Sequence, residues 1–139
     1  VDRQEGFVEK IEADAPDIEV VASLTANYSR DEAANVTEDI LQANPELDAI
    51  YAHNDEMALG AARTVAAAGR ADEIKIYGID ATADAIEALK SGEMAATVQQ
   101  QPDLQIETAL ENAVKVLDGE EVDALVNIPL KLLTKADVE

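Results

Sequence analysis

The stretch "AIYAHNDEMALGA", residues 49–61, begins as an apolar run and ends in an alanine-rich helical pattern. Between the halves stand His53, Asn54, Asp55 and Glu56, four polar residues at the junction of two elements that both want burial. A strand that feeds a helix through a polar turn is the repeating unit of α/β folds. The neighbouring segments repeat it. "IKIYGID" (74–80) reads as a buried strand followed by a short helix over Ala83–Lys90, and "AATVQQ" (95–100) as a strand followed by a helix opened by Pro102 and Asp103. "IEVVASL" (18–24) is β-branched and short, as a strand should be, and "VNIPLKLL" (126–133) is a last strand with Pro129 marking an edge or a bend. Helical stripes occur at Phe7, Ile11 and Ala15 and at Ala33, Val36, Ile40 and Leu41, the second introduced by the capping-box pattern "SRDE" with Ser29 as cap. The helix from about Glu56 to Ala68 ends at Gly69 and presents Ala58, Ala61, Ala62 and Ala66, small enough for close approach to a sheet.

This alternation predicts an α/β domain with an open, mainly parallel sheet and helices on both faces. The series starts on a helix, whereas parallel α/β domains usually start on a strand. The expectation is therefore an excerpt whose first strand precedes Val1. The chain has 139 residues, 30 acidic against 10 basic, a net charge of −20, and no cysteine. A field of that sign repels phosphate backbones, so nucleic-acid binding is not expected. Disulfides and thiolate metal sites are excluded, and no apolar run reaches the ~18 residues of a membrane span.

In open α/β sheets, ligands meet the carboxyl ends of the strands. There the sequence places Asn27 and Tyr28, then His53, Asn54 and Asp55, then Asp80, then Gln99, Gln100 and Gln101. Amide and carboxylate groups converging on one rim suit a neutral polyhydroxylated molecule better than a phosphate. Each residue also has a structural explanation: Asn54 or Asp55 as helix cap, Asp80 as turn former, Gln100 as an ordinary strand end, Tyr28 as a loop aromatic, His53 as a packed side chain. Catalysis is not expected. The chain has no Gly-rich phosphate loop, no G-x-S-x-G and no second histidine, and four consecutive residues "HNDE" cannot converge on one metal ion.

Taken in order, "IYAHNDEMALGAARTVAAAGR", "IKIYGIDATADAIEALKSGEMAATVQQQPD" and "ALENAVKVLDGE" resemble the C-terminal half of ribose-type periplasmic sugar-binding proteins, the type I solute-binding components of ABC transporters. The resemblance implies a Rossmann-like lobe over residues 1–101, and a segment 102–139 that crosses to a second lobe and returns, with a helix at about 103–118 and a strand at about 126–133. It implies ligand contacts from Arg3, Tyr28, Asn54, Asp80 and Gln100, with Asp55 left to cap its helix, and no cofactor or metal. It further implies a sugar as ligand, a permease as partner, a periplasmic or otherwise extracytoplasmic location with a lipoprotein anchor as one form, and no enzymatic activity. The effector domain of LacI-type regulators, which shares the "ND.MALG"-like segment, is the alternative. Tyr28 stands where ribose binders carry Phe, and His53 where Gln is common. The apolar stripe of the 103–118 helix needs cover from this sheet or from a second copy, so a dimer or swapped assembly is expected.

The charge balance carries one consequence for stability. The default explanation of the charge is a solvated surface that keeps the protein soluble; the sharper one is adaptation to high salt, where self-repulsion among so many carboxylates is screened as the Debye length shrinks. Thermal unfolding is expected to move to higher temperature between about 0.1 M and about 1 M salt. A midpoint that does not rise would count against a salt-adapted source.

Overall fold

The computed structural model describes residues 2–139. In chain order the elements are α1 (Asp2–Asp14), α2 (Arg30–Ala43), β1 (Ala49–Tyr51), α3 (Asp55–Ala67), β2 (Lys75–Ile79), α4 (Ala83–Ser91), β3 (Ala96–Gln99), α5 (Pro102–Leu117) and β4 (Lys131–Thr134), closed by a short 3-10 helix, Lys135–Asp137. The strands form one sheet in the order β1-β2-β3-β4. β1, β2 and β3 run parallel, and β4 joins β3 antiparallel at the edge, beginning just after Pro129, which has no N–H to give a ladder.

Pleat alternation assigns the faces. Ile76 and Gly78 point to one side, where Thr97 and then Leu133 continue the row across β3 and β4. Helices α3 and α4 cover this side, and their Ala58, Ala61, Val65, Ala85 and Leu89 make the core with Ile76. Tyr51 and Tyr77 are register partners on the opposite side, where Phe7 of α1 stacks on Tyr51 with ring centroids 4.5 Å apart. Helices therefore lie on both faces, unequally: Tyr77 and Leu132 remain exposed.

Small residues set how closely the layers approach. Any Cβ on Gly60 would collide with the Arg30 carbonyl of α2 and press on Ala33, so α2 and α3 touch nearly backbone to backbone. Gly78 lies equally tight under Ala58 and the Asp55 carboxylate. Of the four alanines expected to approach the sheet, Ala58, Ala61 and Ala62 are buried; Ala66 faces solvent, and Val65 takes the inward position. Gly69, at φ +74°, lets α3 stop, as the sequence implied.

Three expectations change. Residues 18–24 form no strand: Ile18, Val20, Val21 and Leu24 are exposed, and no ladder partner for the segment is present among the described residues. β-branched residues favour extended backbone, but a strand also requires a neighbour to take its N–H and C=O groups. The capping box at Ser29 is half made. Ser29 Oγ accepts from Glu32 N at 3.3 Å, while the Glu32 carboxylate accepts from Asn27 Nδ2 at 2.7 Å instead of reaching back. Finally, α5 finds no cover on this sheet. None of its residues is buried, and Ile106, Leu110, Val114 and Leu117 are exposed.

The surroundings of two glycines predict opposite outcomes for their substitution. Gly60→Ala is expected to lower the free energy of unfolding by about 1–3 kcal/mol through overpacking. Gly6→Ala, in α1 with nothing within 4 Å of the new methyl, is expected to raise it by about 0.5–1 kcal/mol. Urea denaturation of both variants checks the pair.

Candidate functional site

The three parallel strands end at the same edge of the sheet, and each hands on a polar side chain there. After β1 comes Asn54, in extended conformation, whose Oδ1 accepts from Met57 N at 2.9 Å and so caps α3. The sequence reading gave that role to Asp55; the structure reverses it. A residue in extended conformation just before the first turn can turn its side chain back onto the free N–H groups, whereas Asp55 already lies within the helix and points into the fold. With Oδ1 occupied, the amide of Asn54 retains Nδ2 as a donor.

After β2 comes Asp80, at φ +123°, followed by Ala81 at φ +57°. Two consecutive non-glycine residues in the left-handed half of the map are strained, and such strain gathers where a side chain must be aimed. Asp80 Oδ1 accepts from Gln100 Nε2 at 2.7 Å and lies 3.7 Å from Arg3 Nη2. Gln100 follows β3. Arg3, from the first turn of α1, also donates through Nη1 to the carbonyl of His53. Arg3, Asp80 and Gln100 therefore form one connected cluster, tied through the His53 carbonyl to the residue next to Asn54. About one third of the Arg3 and Asp80 side chains stays exposed (35% and 32%), so the cluster is open to a ligand.

Tyr28 sits apart from this cluster. With Asn27 it forms a left-handed turn (φ +59° and +48°) before α2, and its residue is 65% exposed. Its place at the same edge follows from Arg30, two residues on. That guanidinium donates to Glu56 at 2.8 and 3.0 Å and to Asp84 at 2.9 Å, drawing together the starts of α2, α3 and α4. These bonds hold the Arg30 pKa above its ordinary value. His53 packs at a tilt on Tyr51, ring centroids 5.4 Å apart, and burial, with Arg3 nearby, pushes its pKa down. It is a packed side chain, in keeping with its structural explanation.

Beneath the rim Asp55 has a buried role different from the cap expected of it. Asp55 is fully buried; Oδ1 accepts from Thr97 Oγ1 at 2.6 Å and Oδ2 from Thr82 N at 2.8 Å. Burial pushes its carboxyl pKa up, while these two bonds pull it back. Thr82 had a signal in the sequence, a hydroxyl residue just before a helical stripe, and it does cap α4. Thr97 had none, because a threonine inside an apolar strand reads as ordinary strand composition. Arg30 was hidden within the capping pattern around Ser29.

Chemically the rim offers a donor at Asn54 Nδ2, further donors on Arg3, and acceptors at Asp80 Oδ2 and Gln100 Oε1. A hydroxyl group can satisfy a donor and an acceptor together, so this set matches vicinal hydroxyls.

Comparisons with known proteins bear on the chain's family and fold. A family model described as a periplasmic binding protein domain matches residues 1–121. The ribose import binding protein of Haemophilus influenzae is 43% identical over 134 residues, covering 96% of this chain and 44% of that protein. Its Escherichia coli counterpart is 40% identical over the same shares of the two chains. Among solved structures, an ABC transporter periplasmic solute-binding protein from Actinobacillus succinogenes with bound D-allose superposes with a TM-score of 0.89 at 36% identity, covering 99% of this chain and 49% of that one. A Bacillus halodurans solute-binding protein with bound myo-inositol gives a TM-score of 0.81 at 41% identity, covering 98% and 47%. The chain thus spans about half the length of the relatives it matches.

Proposed function

The chain belongs to the periplasmic binding protein domain family, and from that premise we propose that it is one lobe of the sugar-binding component of an ABC importer. The observation that carries this reading is the cluster of Arg3, Asp80 and Gln100, with Asn54 beside it, at the carboxyl ends of three adjacent parallel strands. A small neutral sugar would take its hydroxyl contacts from these four side chains, and Tyr28 would supply an apolar ring face. Residues 1–101 would form this lobe, and residues 102–139 would cross to a second lobe and return. A second lobe closing over the rim would bury the sugar. The protein would act by binding alone, outside the cytoplasm, free or anchored as a lipoprotein, and deliver its ligand to a membrane permease. A LacI-type regulator is less well supported. The relatives named above are solute-binding proteins of importers, and a net charge of −20 opposes DNA.

Calorimetric titration of the intact protein with pentoses, hexoses and inositols tests the reading. At least one of them is expected to bind, and Asp80→Ala to weaken that sugar roughly 10- to 100-fold, the worth of a hydrogen bond to a charged group. Absence of binding to every member of the series would remove the transport reading.

For the 139-residue chain by itself, the exposed apolar row of Ile106, Leu110, Val114 and Leu117 on α5 would be covered by a second copy of the chain, as a dimer or with the segment exchanged. Rows of this kind are seldom left in water. Sedimentation velocity is expected to show mass above the monomer that grows with concentration; a monomer at the highest concentration would overturn this.

A further inference from the structure

Asp80 is held at φ +123°, a backbone conformation that L side chains rarely adopt, so something must hold it. The backbone N–H groups of three consecutive residues supply the answer. Asp80 N donates to Val98 O at 2.9 Å, Ala81 N to Thr97 Oγ1 at 3.3 Å, and Thr82 N to Asp55 Oδ2 at 2.8 Å. Thr97 Oγ1, having accepted from Ala81, donates to Asp55 Oδ1 at 2.6 Å. Two of the three tethers thus lead to one carboxylate, directly or through a single hydroxyl. Asp55 and Thr97 are both fully buried, so water does not compete for these bonds.

We propose that Asp55 is a positioning residue: its buried carboxylate anchors the left-handed Asp80–Ala81 turn through Thr82 N–H and Thr97, and so aims Asp80 at the ligand. Asp55 follows Asn54 directly, so the start of α3 sends one side chain to the rim and the next down to the turn carrying Asp80. This connection thus ties Asn54 and Asp80 together through the packed side of the sheet. The first turn of a helix suits a carboxylate. Gly78 leaves the room, since a Cβ there would strike Asp55 Oδ1 and come within 2.9 Å of Met94 Cε.

The functional half of this inference rests on the sugar-binding reading; the structural half does not. Amide hydrogen exchange and sugar titration on the intact protein separate them. Thr97→Val keeps shape and removes the hydroxyl, Thr97→Ser keeps the hydroxyl, and Asp55→Asn leaves one acceptor oxygen for two donors, Thr82 N–H and the Thr97 hydroxyl. Thr97→Val and Asp55→Asn are expected to speed exchange at Ala81 and Thr82 by about ten-fold, roughly one lost buried hydrogen bond, with the α2 amides unchanged. Sugar affinity should fall by a similar factor and return toward the parent value in Thr97→Ser. Exchange that stays unchanged at Ala81 and Thr82, or rises evenly over the whole domain, would overturn the anchor. Local loosening with undiminished affinity would overturn the positioning role. A parent protein that binds no sugar would remove the functional reading, and the exchange result would still decide the anchor.

Discussion

A carboxylate removed from water is the constraint around which this lobe is arranged. An isolated buried charge is costly, and a protein keeps one when the surrounding groups satisfy it. Asp55 is satisfied by one hydroxyl and one backbone N–H, and it sits in the first turn of a helix whose dipole favours negative charge. Those requirements fix much else. α3 must lie close to β2, so Gly78 faces it and Ala58 packs beside it. Thr97 must point to the same side of the sheet, as it does as the register partner of Gly78. The strand ends and helix starts are then locked together before any ligand is considered.

The rim inherits its chemistry from these structural commitments. Asn54 gives its oxygen to the helix cap and keeps its amide nitrogen. Gln100 gives its nitrogen to Asp80 and keeps its oxygen. Each internal bond thereby fixes which way its amide is turned. Arg3 adds donors and partly balances Asp80. A binding site prepared this way would spend little of its binding free energy on reorganising. It also explains why the strained turn persists: the surroundings over-determine Asp80.

The sequence made the alternation legible because each element is bounded by strong local signals: Pro16, "NP" at 44–45, Gly69, "SG" at 91–92 and Pro102. The parallel strands and their rim residues followed from that punctuation together with the general rule about strand ends. Less visible was anything decided by a partner distant along the chain. Residues 18–24 have strand composition, but pairing depends on neighbours that composition does not describe. The exchange of roles between Asn54 and Asp55 depends on Thr97, 42 residues beyond Asp55, whose hydroxyl no local pattern singles out. The clustering of Arg3 with Asp80 was expected from resemblance alone, since no periodicity links the first turn of α1 to the end of β2.

The two faces of the sheet make opposite demands, and together they define the unit. On the α3 side, Ile76, Val65 and Leu89 are fully buried under helices that the chain itself supplies. On the other side Tyr77 and Leu132 are exposed, and the apolar residues of 18–24 and of α5 are exposed as well. A hydrophobic row spaced for one helix face is costly in water unless something covers it. The packed side therefore does much to fix the rim, because two of the three backbone tethers of the Asp80 turn, those of Ala81 and Thr82, lead into it. The open side contributes Arg3 from α1, so the cluster joins a helix from the thinly covered face to strand ends fixed by the core. Cover for that face would steady Arg3 against Asp80 without touching the Asp55 network, so the anchoring of the turn and the completion of the cluster are separable events.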